Sequence, residues 1–395
     1  MAEQISPDLN FVRDVIASGG ESLKKCYQCA TCSVVCNVTP DSKPFPRKEM
    51  IYAQWGLKDR LFPNPDIWLC HQCSDCTAYC PRGAKPGEVL NAVRKLSIQH
   101  YSVPRFLGKA VGSPQYLVLL LAVPVVIFLI ILASIGHLSL SNIPRGEDGG
   151  ISYALFFPAL SIDAVFVPAA AFAIFSFVLG ISGYWKDMAR SAGDKRWKMV
   201  LKGGLLSTII ATIGVILSHK QFQKCDLTKD RQVSHFLVFY SFAGLAITTA
   251  LGFIYVWGPV VMKLLGMKPL GWMLGESPYP LTDPMKIIGN ASALALLIGI
   301  TLGVRNRLRN KEKAGSGSYF DWLFLNIVYL IVATGILAEI LRLADIAVLA
   351  YPIYFVHLVV VFFLFLYAPF SKMSHMVYRA TAMIFARQAE REVEG

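Results

Sequence analysis

Eight of the nine cysteines in this chain fall into two arrays that share one spacing, C-x₂-C-x₂-C-x₃-C. The arrays are Cys26, Cys29, Cys32 and Cys36, and then Cys70, Cys73, Cys76 and Cys80. Three close cysteines can wrap one face of a compact iron–sulfur core while a fourth comes from elsewhere, so this spacing is typical of [4Fe–4S] ligation. Structural zinc favours ligand pairs separated by a longer stretch, and disulfides suit secreted domains, so neither alternative fits as well. The arrays therefore predict two [4Fe–4S] clusters.

In two-cluster ferredoxins the last cysteine of each run binds the other cluster. This rule gives cluster 1 to Cys26, Cys29, Cys32 and Cys80, and cluster 2 to Cys70, Cys73, Cys76 and Cys36. His71 follows the first cysteine of the second array, where it could tune a cluster by hydrogen bonding, although we favour a surface position. Cys225 lies outside both arrays, and we interpret it and the nearby His219 as structural.

The composition places most of the chain in lipid. Its 395 residues are 54% hydrophobic and only 16% charged, with a mean hydropathy of +0.49. The net charge of +12 fits basic cytoplasmic loops facing membrane lipid better than a nucleic-acid surface. Thiol-bound clusters require a reducing compartment, so we expect residues 1–110 to be cytoplasmic. The N-terminus has neither the basic nor the apolar region of a signal peptide.

Residues 1–110 are predicted to form a soluble module, residues 111–376 a membrane domain, and residues 377–395 a cytoplasmic tail. A basic helical segment, Glu88–Lys109, could lie on lipid headgroups or pack on the module with a solvated basic face. Apolar runs of spanning length occupy 114–136, 161–184, 235–262, 285–304, 319–341 and 352–371. The fold class is therefore mainly α, with an α-helical two-cluster ferredoxin domain before a six-helix transmembrane bundle.

Loop charge decides how a seventh apolar run, 201–217, is read. Lys186–Lys202 carries six basic and two acidic residues, and Arg305–Lys313 carries five and one, so both loops should be cytoplasmic. An even number of spans must then lie between them, which makes 201–217 interfacial or re-entrant. Six spans place both termini on the cytoplasmic side.

Three histidines stand at the ends of predicted spans. His235 begins the third span, while His357 and His375 flank the last one with a spacing that corresponds to about 27 Å of helix. A histidine at membrane depth is costly without a partner, so we favour a functional role over an interfacial one.

The stretch from His357 to His375, with Ala-Pro-Phe-Ser-Lys between them, resembles the last haem-binding helix of the γ-subunit of respiratory nitrate reductase. The cysteine module resembles the C subunit of heterodisulfide reductases, and the membrane half resembles their cytochrome b subunit. Fusion of the two in one chain is similar to the membrane subunit of the quinone-interacting membrane-bound oxidoreductase complexes of sulfate reducers.

This resemblance implies an inner haem b held by His235 and His375 near the cytoplasm. Nitrate reductase has a further histidine ten residues into the partner helix, but this chain has Leu245 there. An outer haem would use His357 with either His137 or His219, so one or two haems are expected.

The sequence offers no catalytic machinery of its own for two-electron chemistry. We find no G-x-G-x-x-G fingerprint after a strand and no P-loop, which leaves single-electron transfer. The resemblance implies that electrons pass between menaquinol in the cell inner membrane and two heterodisulfide-reductase-like flavoprotein subunits, with adenylylsulfate reductase as the eventual acceptor. Lys372, Asp163 and Glu339 are the candidate polar groups for a quinone site.

Three alternatives remain open. A redox-driven ion pump needs a chain of buried ionisable residues, which the spans nearly lack. A membrane-tethered sensor needs an output domain, for which residues 376–395 are too short. Another heterodisulfide-reductase-like or nitrate-reductase-like complex with a different soluble partner is the main alternative.

Overall fold

A computed structural model describes residues 5–41, 43–139, 144–192, 204–225, 231–273, 277–315 and 317–389. Within these ranges the chain is helical, and its β-structure is one isolated bridge between Arg145 and Ile151. The predicted fold class, a helical cysteine module followed by six long apolar helices, is confirmed.

The module consists of short helices packed around one longer helix, α7. The helices are α1 Leu9–Ala17, α2 Thr31–Val34, α3 Arg47–Gln54, α4 Lys58–Leu61, α5 Asp66–Leu69, α6 Asp75–Ala78, α7 Pro86–Tyr101 and α8 Arg105–Val111. Their shared core is apolar and includes the fully buried Val15, Met50, Ile67 and Val89. Sequence had suggested one helix over Glu88–Lys109, but it is divided at Ser102–Pro104, because a residue before proline is disfavoured in helical geometry.

Six helices are long and apolar enough to cross a membrane. They run over Pro114–Ser134, Ala159–Ala192, Arg231–Leu264, Pro284–Arg309, Tyr319–Leu343 and Ala347–Phe370. In these spans the regular α-helices are α9 Leu117–Ser134, α11 Ala159–Ala192, α13 Arg231–Leu264, α14 Pro284–Arg309, α16 Tyr319–Leu343 and α17 Ala347–Tyr367. These helices indicate a multi-pass membrane protein.

The remaining helices are short connections and one C-terminal helix. They are α10 Tyr153–Phe156, α12 Leu205–Ser218, α15 Lys311–Ala314 and α18 His375–Gln388. The apolar helix α12 has 14 residues, or about 21 Å, which is less than the roughly 30 Å of a bilayer core. Part of the basic loop Lys186–Lys202 and Lys229 lie outside the described residues.

The module packs against one end of the helix bundle. Trp68 of the module stacks on Tyr378 of α18 with ring centroids 5.2 Å apart, and Tyr101 packs on Tyr184 of α11 at 5.3 Å. The start of α16 is at the same end, because Asn91 of the module donates a hydrogen bond of 2.8 Å to Asp321. The opposite end of the bundle carries the exposed Arg145–Asp345 ion pair.

Glycines let α13 and α14 approach closely. A Cβ on Gly299 would lie 2.8 Å from Leu237 Cβ, and one on Gly244 would lie 2.1 Å from Ser292 Oγ. Ser234 Oγ also donates to the carbonyl of Gly299 at 2.9 Å. Small residues at helix contacts are typical of membrane bundles, where dispersion packing and interhelical hydrogen bonds hold helices together.

The last span does not continue as one helix to His375. Helix α17 ends at Tyr367, and two short 3₁₀ turns, Ala368–Phe370 and Lys372–Ser374, precede α18. Pro369 cannot continue an α-helix because it has no amide hydrogen to donate. His375 is therefore the first residue of a new helix, not the last residue of the span.

The glycine at position 180 tests the contact between module and bundle. A Cβ there would lie 2.6 Å from the Tyr378 hydroxyl oxygen and 3.0 Å from the Tyr101 carbonyl oxygen. We expect Gly180→Leu to lower the free energy of unfolding by about 1–3 kcal/mol, because the larger side chain overpacks the contact. The thermal midpoint of the purified protein measures this. Gly214→Leu is the matched control, since no heavy atom lies within 4 Å of a Cβ there, and equal destabilisation by both variants would contradict the assignment.

Candidate redox centres

The two cysteine loops have the same unusual backbone. Gln28 and Ala30 adopt φ of 60° and 71°, and Gln72 and Ser74 adopt φ of 52° and 71° at the equivalent positions of the second loop. Such left-handed geometry is uncommon outside glycine, and alternating right- and left-handed residues turn successive N–H groups toward one anionic ligand. Both loops then enter a single helical turn, α2 or α6. The spacing repeat is therefore also a structural repeat.

The thiols fall into two neighbouring groups. Burial, and then the nearby thiols of Cys26, Cys29 and Cys80, raise the pKa of Cys32 to about 11. Cys36 has its pKa raised to about 12 by burial, with Cys70 and Cys73 as its thiol neighbours. The fourth cysteine of each array thus lies with the first three of the other array. Four thiols in such proximity resist ionisation on their own, and a bound metal cation reverses that preference.

The two groups differ in access to solvent. Cys29 is exposed, whereas Cys70 and Cys76 are each only 8% exposed. Tyr27 and Val34, beside the first group, are also exposed. The first group therefore faces solvent, and the second faces the helix bundle.

Cys225, which sequence reasoning treated as structural, lies against the second group. Its thiol is buried and forms a hydrogen bond with Cys73, which together with burial raises the pKa of Cys73. The Asp75 carboxylate is also within 4.8 Å of these two sulfurs. No local sequence signal could have found this contact, because the two cysteines are far apart along the chain.

A cavity of about 860 Å³ lies between the second cysteine loop and the bundle. Its walls are largely apolar, and three of the seven histidines, His219, His235 and His375, line it together. His71 and Gln72 of the second cysteine loop line the same cavity, so His71 is not at the free surface. A concave apolar cavity with few convergent polar groups is typical of a cofactor site.

Hydrogen bonds determine which ring nitrogen each cavity histidine presents. His375 Nδ1 donates to the Lys372 carbonyl oxygen at 2.6 Å, which leaves its Nε2 unprotonated. His219 Nδ1 lies 3.0 Å from the Leu217 carbonyl oxygen, so its Nε2 is the acceptor for His235 Nδ1 at 3.1 Å. The Nε2 atoms of His235 and His375 are thus both free to bind a metal.

The remaining candidate haem residues have other neighbours. His357 Nδ1 lies 3.0 Å from Thr334 Oγ1, and its ring packs on Gly335 so closely that a Cβ there would be 3.0 Å from His357 Cε1. His137 stacks on Phe156. His219 pairs with His235 and not with His357, and Leu245 packs in an apolar cluster. The fit of an outer haem is not established by these contacts.

Of the three polar candidates for a quinone site, Lys372 alone lines the cavity, where it is paired with the buried Asp321. Asp163 accepts a hydrogen bond of 2.6 Å from Trp257 Nε1. Glu339 forms ion pairs with Lys286 at 2.8 Å and Arg342 at 3.1 Å.

Arginine side chains contact the second cysteine loop, which the sequence did not indicate. Arg94 was expected on a basic face but turns inward to donate to the carbonyls of Ile67, at 2.6 Å, and Cys70. Arg379 of α18 donates to the Cys70 carbonyl at 3.1 Å, and Arg231 of α13 donates to that of Gln72 at 2.7 Å. Two of these three arginines belong to the membrane half of the chain.

The cysteine pattern and its geometry define an iron–sulfur dicluster module. Residues 22–84 match the family model described as a 4Fe-4S dicluster domain. This match supports the predicted pair of [4Fe–4S] clusters.

Curated relatives are C subunits of heterodisulfide reductases, or proteins like them. Such a C-subunit-like protein of Archaeoglobus profundus is 36% identical over 86 residues, which cover 22% of this chain and 46% of the relative. The C subunit of the H(2):CoB-CoM heterodisulfide,ferredoxin reductase of Methanothermobacter marburgensis is 34% identical over 110 residues, covering 27% and 57%. The second iron-sulfur C subunit of the CoB--CoM heterodisulfide reductase of Methanocaldococcus jannaschii is 37% identical over 98 residues, covering 23% and 52%.

The chain spans about half the length of the curated relatives it matches. No solved structure matches it. These findings support an iron–sulfur electron-transfer subunit that is similar to the heterodisulfide reductase C subunit and is joined to six apolar helices.

The Asp321 carboxylate holds the module side of the cavity together. It is fully buried, pairs with Lys372, lies 3.9 Å from Arg307 and accepts a hydrogen bond from Asn91. We expect Asp321→Asn to lower the free energy of unfolding by about 3–5 kcal/mol, because two partly buried cations lose their counter-charge.

Chemical or thermal unfolding of the purified protein measures this effect. The control is Asp345→Asn, which removes an exposed ion pair with Arg145 and should cost no more than about 1 kcal/mol. Similar losses from both variants would show that Asp321 has no special structural role.

Proposed function

We propose that this chain is the membrane subunit of a quinone-dependent oxidoreductase complex and transfers electrons between the quinone pool and a cytoplasmic redox partner. The observation that carries this proposal is the shared cavity. His71 and Gln72, within the second cysteine loop, line the same space as His235 and His375. A cofactor in the cavity would be next to one candidate cluster, and the second candidate cluster would lie between it and solvent.

Cys26, Cys29, Cys32 and Cys80 are the proposed ligands of cluster 1, and Cys70, Cys73, Cys76 and Cys36 those of cluster 2. The thiol neighbourhoods support this crossed arrangement, since Cys80 raises the pKa of Cys26 and Cys36 that of Cys76. Burial is the larger cause in both thiols.

The cavity residues fit an inner haem b. His235 and His375 would supply the two axial nitrogens, because hydrogen bonds at Nδ1 leave both Nε2 atoms unprotonated. His219 would fix the orientation of His235 through their 3.1 Å contact. When bound, the haem and the clusters supply one-electron redox chemistry. A second, outer haem at His357 stays a prediction.

A quinone is proposed to bind near the inner haem, with Lys372 as the polar group at its headgroup. Lys372 lines the cavity, whereas Asp163 and Glu339 are engaged with Trp257 and with Lys286 and Arg342. The Lys372–Asp321 pair could exchange a proton with the quinone as its redox state changes.

We place the module on the cytoplasmic side of the inner membrane. The loops rich in lysine and arginine, such as Arg305–Lys313, adjoin the module end of the bundle, as the positive-inside rule requires. Menaquinol as electron donor, two heterodisulfide-reductase-like flavoproteins as partners and adenylylsulfate reductase as acceptor are proposed from the family resemblance.

The alternative is a subunit of another heterodisulfide-reductase-like complex with a different soluble partner, which the relatives favour. Mass spectrometry of chains that copurify with the native protein separates the two. Two flavoproteins would support the proposal, and a molybdenum subunit would exclude it.

Serine substitutions test the crossed ligand assignment. We expect Cys80→Ser to impair cluster 1 only and Cys36→Ser to impair cluster 2 only, because each removes one ligand of one cluster. Iron and sulfide analysis with electron paramagnetic resonance of the reduced protein measures this. Cys225→Ser is the control and should retain the full iron content. If Cys80→Ser altered the same signal as Cys70→Ser, the crossed assignment would be wrong.

Histidine substitutions test the inner haem. We expect His375→Ala to abolish the haem b spectrum and leave the iron–sulfur signals unchanged, because the cavity loses one axial nitrogen. The pyridine haemochrome assay gives haem per chain. His100→Ala, which alters a histidine packed on Phe62 in the module, is the control. An unchanged haem spectrum in the His375 variant would refute the ligand assignment.

A further inference from the structure

The duplicated cysteine loops allow an internal comparison of the two proposed clusters. Cys26 corresponds to Cys70 and Gln28 to Gln72, and the φ values of the two loops agree at the left-handed positions. Since the loops have the same backbone, the groups that contact equivalent carbonyls show how the two environments differ.

The first equivalent carbonyl has a neutral partner in one loop and two cationic partners in the other. The Cys26 carbonyl accepts a hydrogen bond of 2.9 Å from the Gln54 amide. The Cys70 carbonyl accepts from the guanidinium groups of Arg94 and Arg379, the latter at 3.1 Å.

The second equivalent carbonyl has an arginine in both loops, but the two arginines differ in exposure. Gln28 accepts from Arg47 Nε at 2.9 Å, and Gln72 accepts from Arg231 at 2.7 Å. Arg47 is exposed to solvent, whereas Arg231 is half-buried against the cavity. Water and salt screen an exposed charge more strongly than a half-buried one.

Contacts to the second sulfur of each array are more nearly balanced. The Thr31 hydroxyl lies 3.3 Å from Cys29 Sγ, and the Cys225 thiol forms a hydrogen bond with Cys73. Asp75, near Cys73, places one negative charge beside the second loop. Three arginines against one carboxylate still leave that loop with the larger positive charge.

We infer that the cluster held by the Cys70 loop has the higher reduction potential of the two, and that Arg379, on a helix of the membrane half, helps to set it. One-electron reduction adds one negative charge to a [4Fe–4S] cluster, and nearby cations stabilise the reduced form. The electron would therefore reside preferentially on the cluster that adjoins the cavity. This inference rests on the cluster assignment proposed above.

The experiment is a potentiometric titration of the purified full-length protein, followed by electron paramagnetic resonance. Iron content is measured first, because a protein that lacks two clusters contradicts the proposed function and not this inference. The Cys80→Ser and Cys36→Ser variants identify which signal belongs to which cluster. In the unaltered protein we expect the cluster 2 signal to appear at the higher potential.

Arg379→Gln tests the role of charge. Glutamine keeps a hydrogen-bond donor, and Arg94 still contacts the Cys70 carbonyl, so the loop retains a partner. At a fixed potential we expect the ratio of reduced to oxidised cluster 2 to fall on the order of tenfold, with cluster 1 unchanged. Arg379→Lys, which keeps the charge, should restore most of the difference.

Two controls complete the design. Arg47→Gln removes the exposed arginine of the first loop and should shift cluster 1 slightly, with no effect on cluster 2. Arg190→Gln alters a surface arginine of α11 and should shift neither. The inference is overturned if cluster 1 is reduced first, or if Arg379→Gln leaves the cluster 2 potential unchanged.

Discussion

Four aromatic rings, those of Trp68, Tyr101, Tyr184 and Tyr378, pack together where the cysteine module meets the helix bundle. They come from the module, from α11 and from α18, so one contact joins three distant parts of the chain. Each ring buries a large apolar area, and Trp68 and Tyr184 are almost completely buried. Because this contact is rigid and dry, the second cysteine loop has a fixed position over the cavity. Without it, a proposed cluster and a proposed haem would have no defined separation, and electron transfer depends on that separation.

Sequence periodicity and spacing predicted the features that depend on local chemistry. The cysteine repeat gave two equivalent loops, and apolar length gave six spans, because each signal is contained in a short stretch. Proline effects were also local, yet the breaks before Pro104 and at Pro369 were missed, since an apolar or basic pattern continues across both positions. The result at Pro369 matters, because it makes His375 the start of a helix that carries Tyr378 and Arg379.

The unpredicted parts of the candidate site are long-range contacts between polar groups. Arg94 was read as a solvated base, but the carbonyls of the cysteine loop point away from the cluster side and need donors once they are buried. Cys225 and His219 looked ordinary in sequence, yet each contacts a proposed ligand residue, Cys73 or His235. A charged or thiol side chain gives no periodic signal, so only the fold reveals its partner.

The position of α18 has a consequence for biosynthesis. Tyr378 and Arg379 contact the second cysteine loop and the short helix before it, which the ribosome has completed long before it reaches them. The module must therefore leave the ribosome with one face uncovered, and that face is closed only after the sixth apolar helix has been made. Cluster insertion into the second loop could occur during this interval, when the loop is open on the side that the bundle later covers. Assembly of the two halves would then be ordered by translation itself.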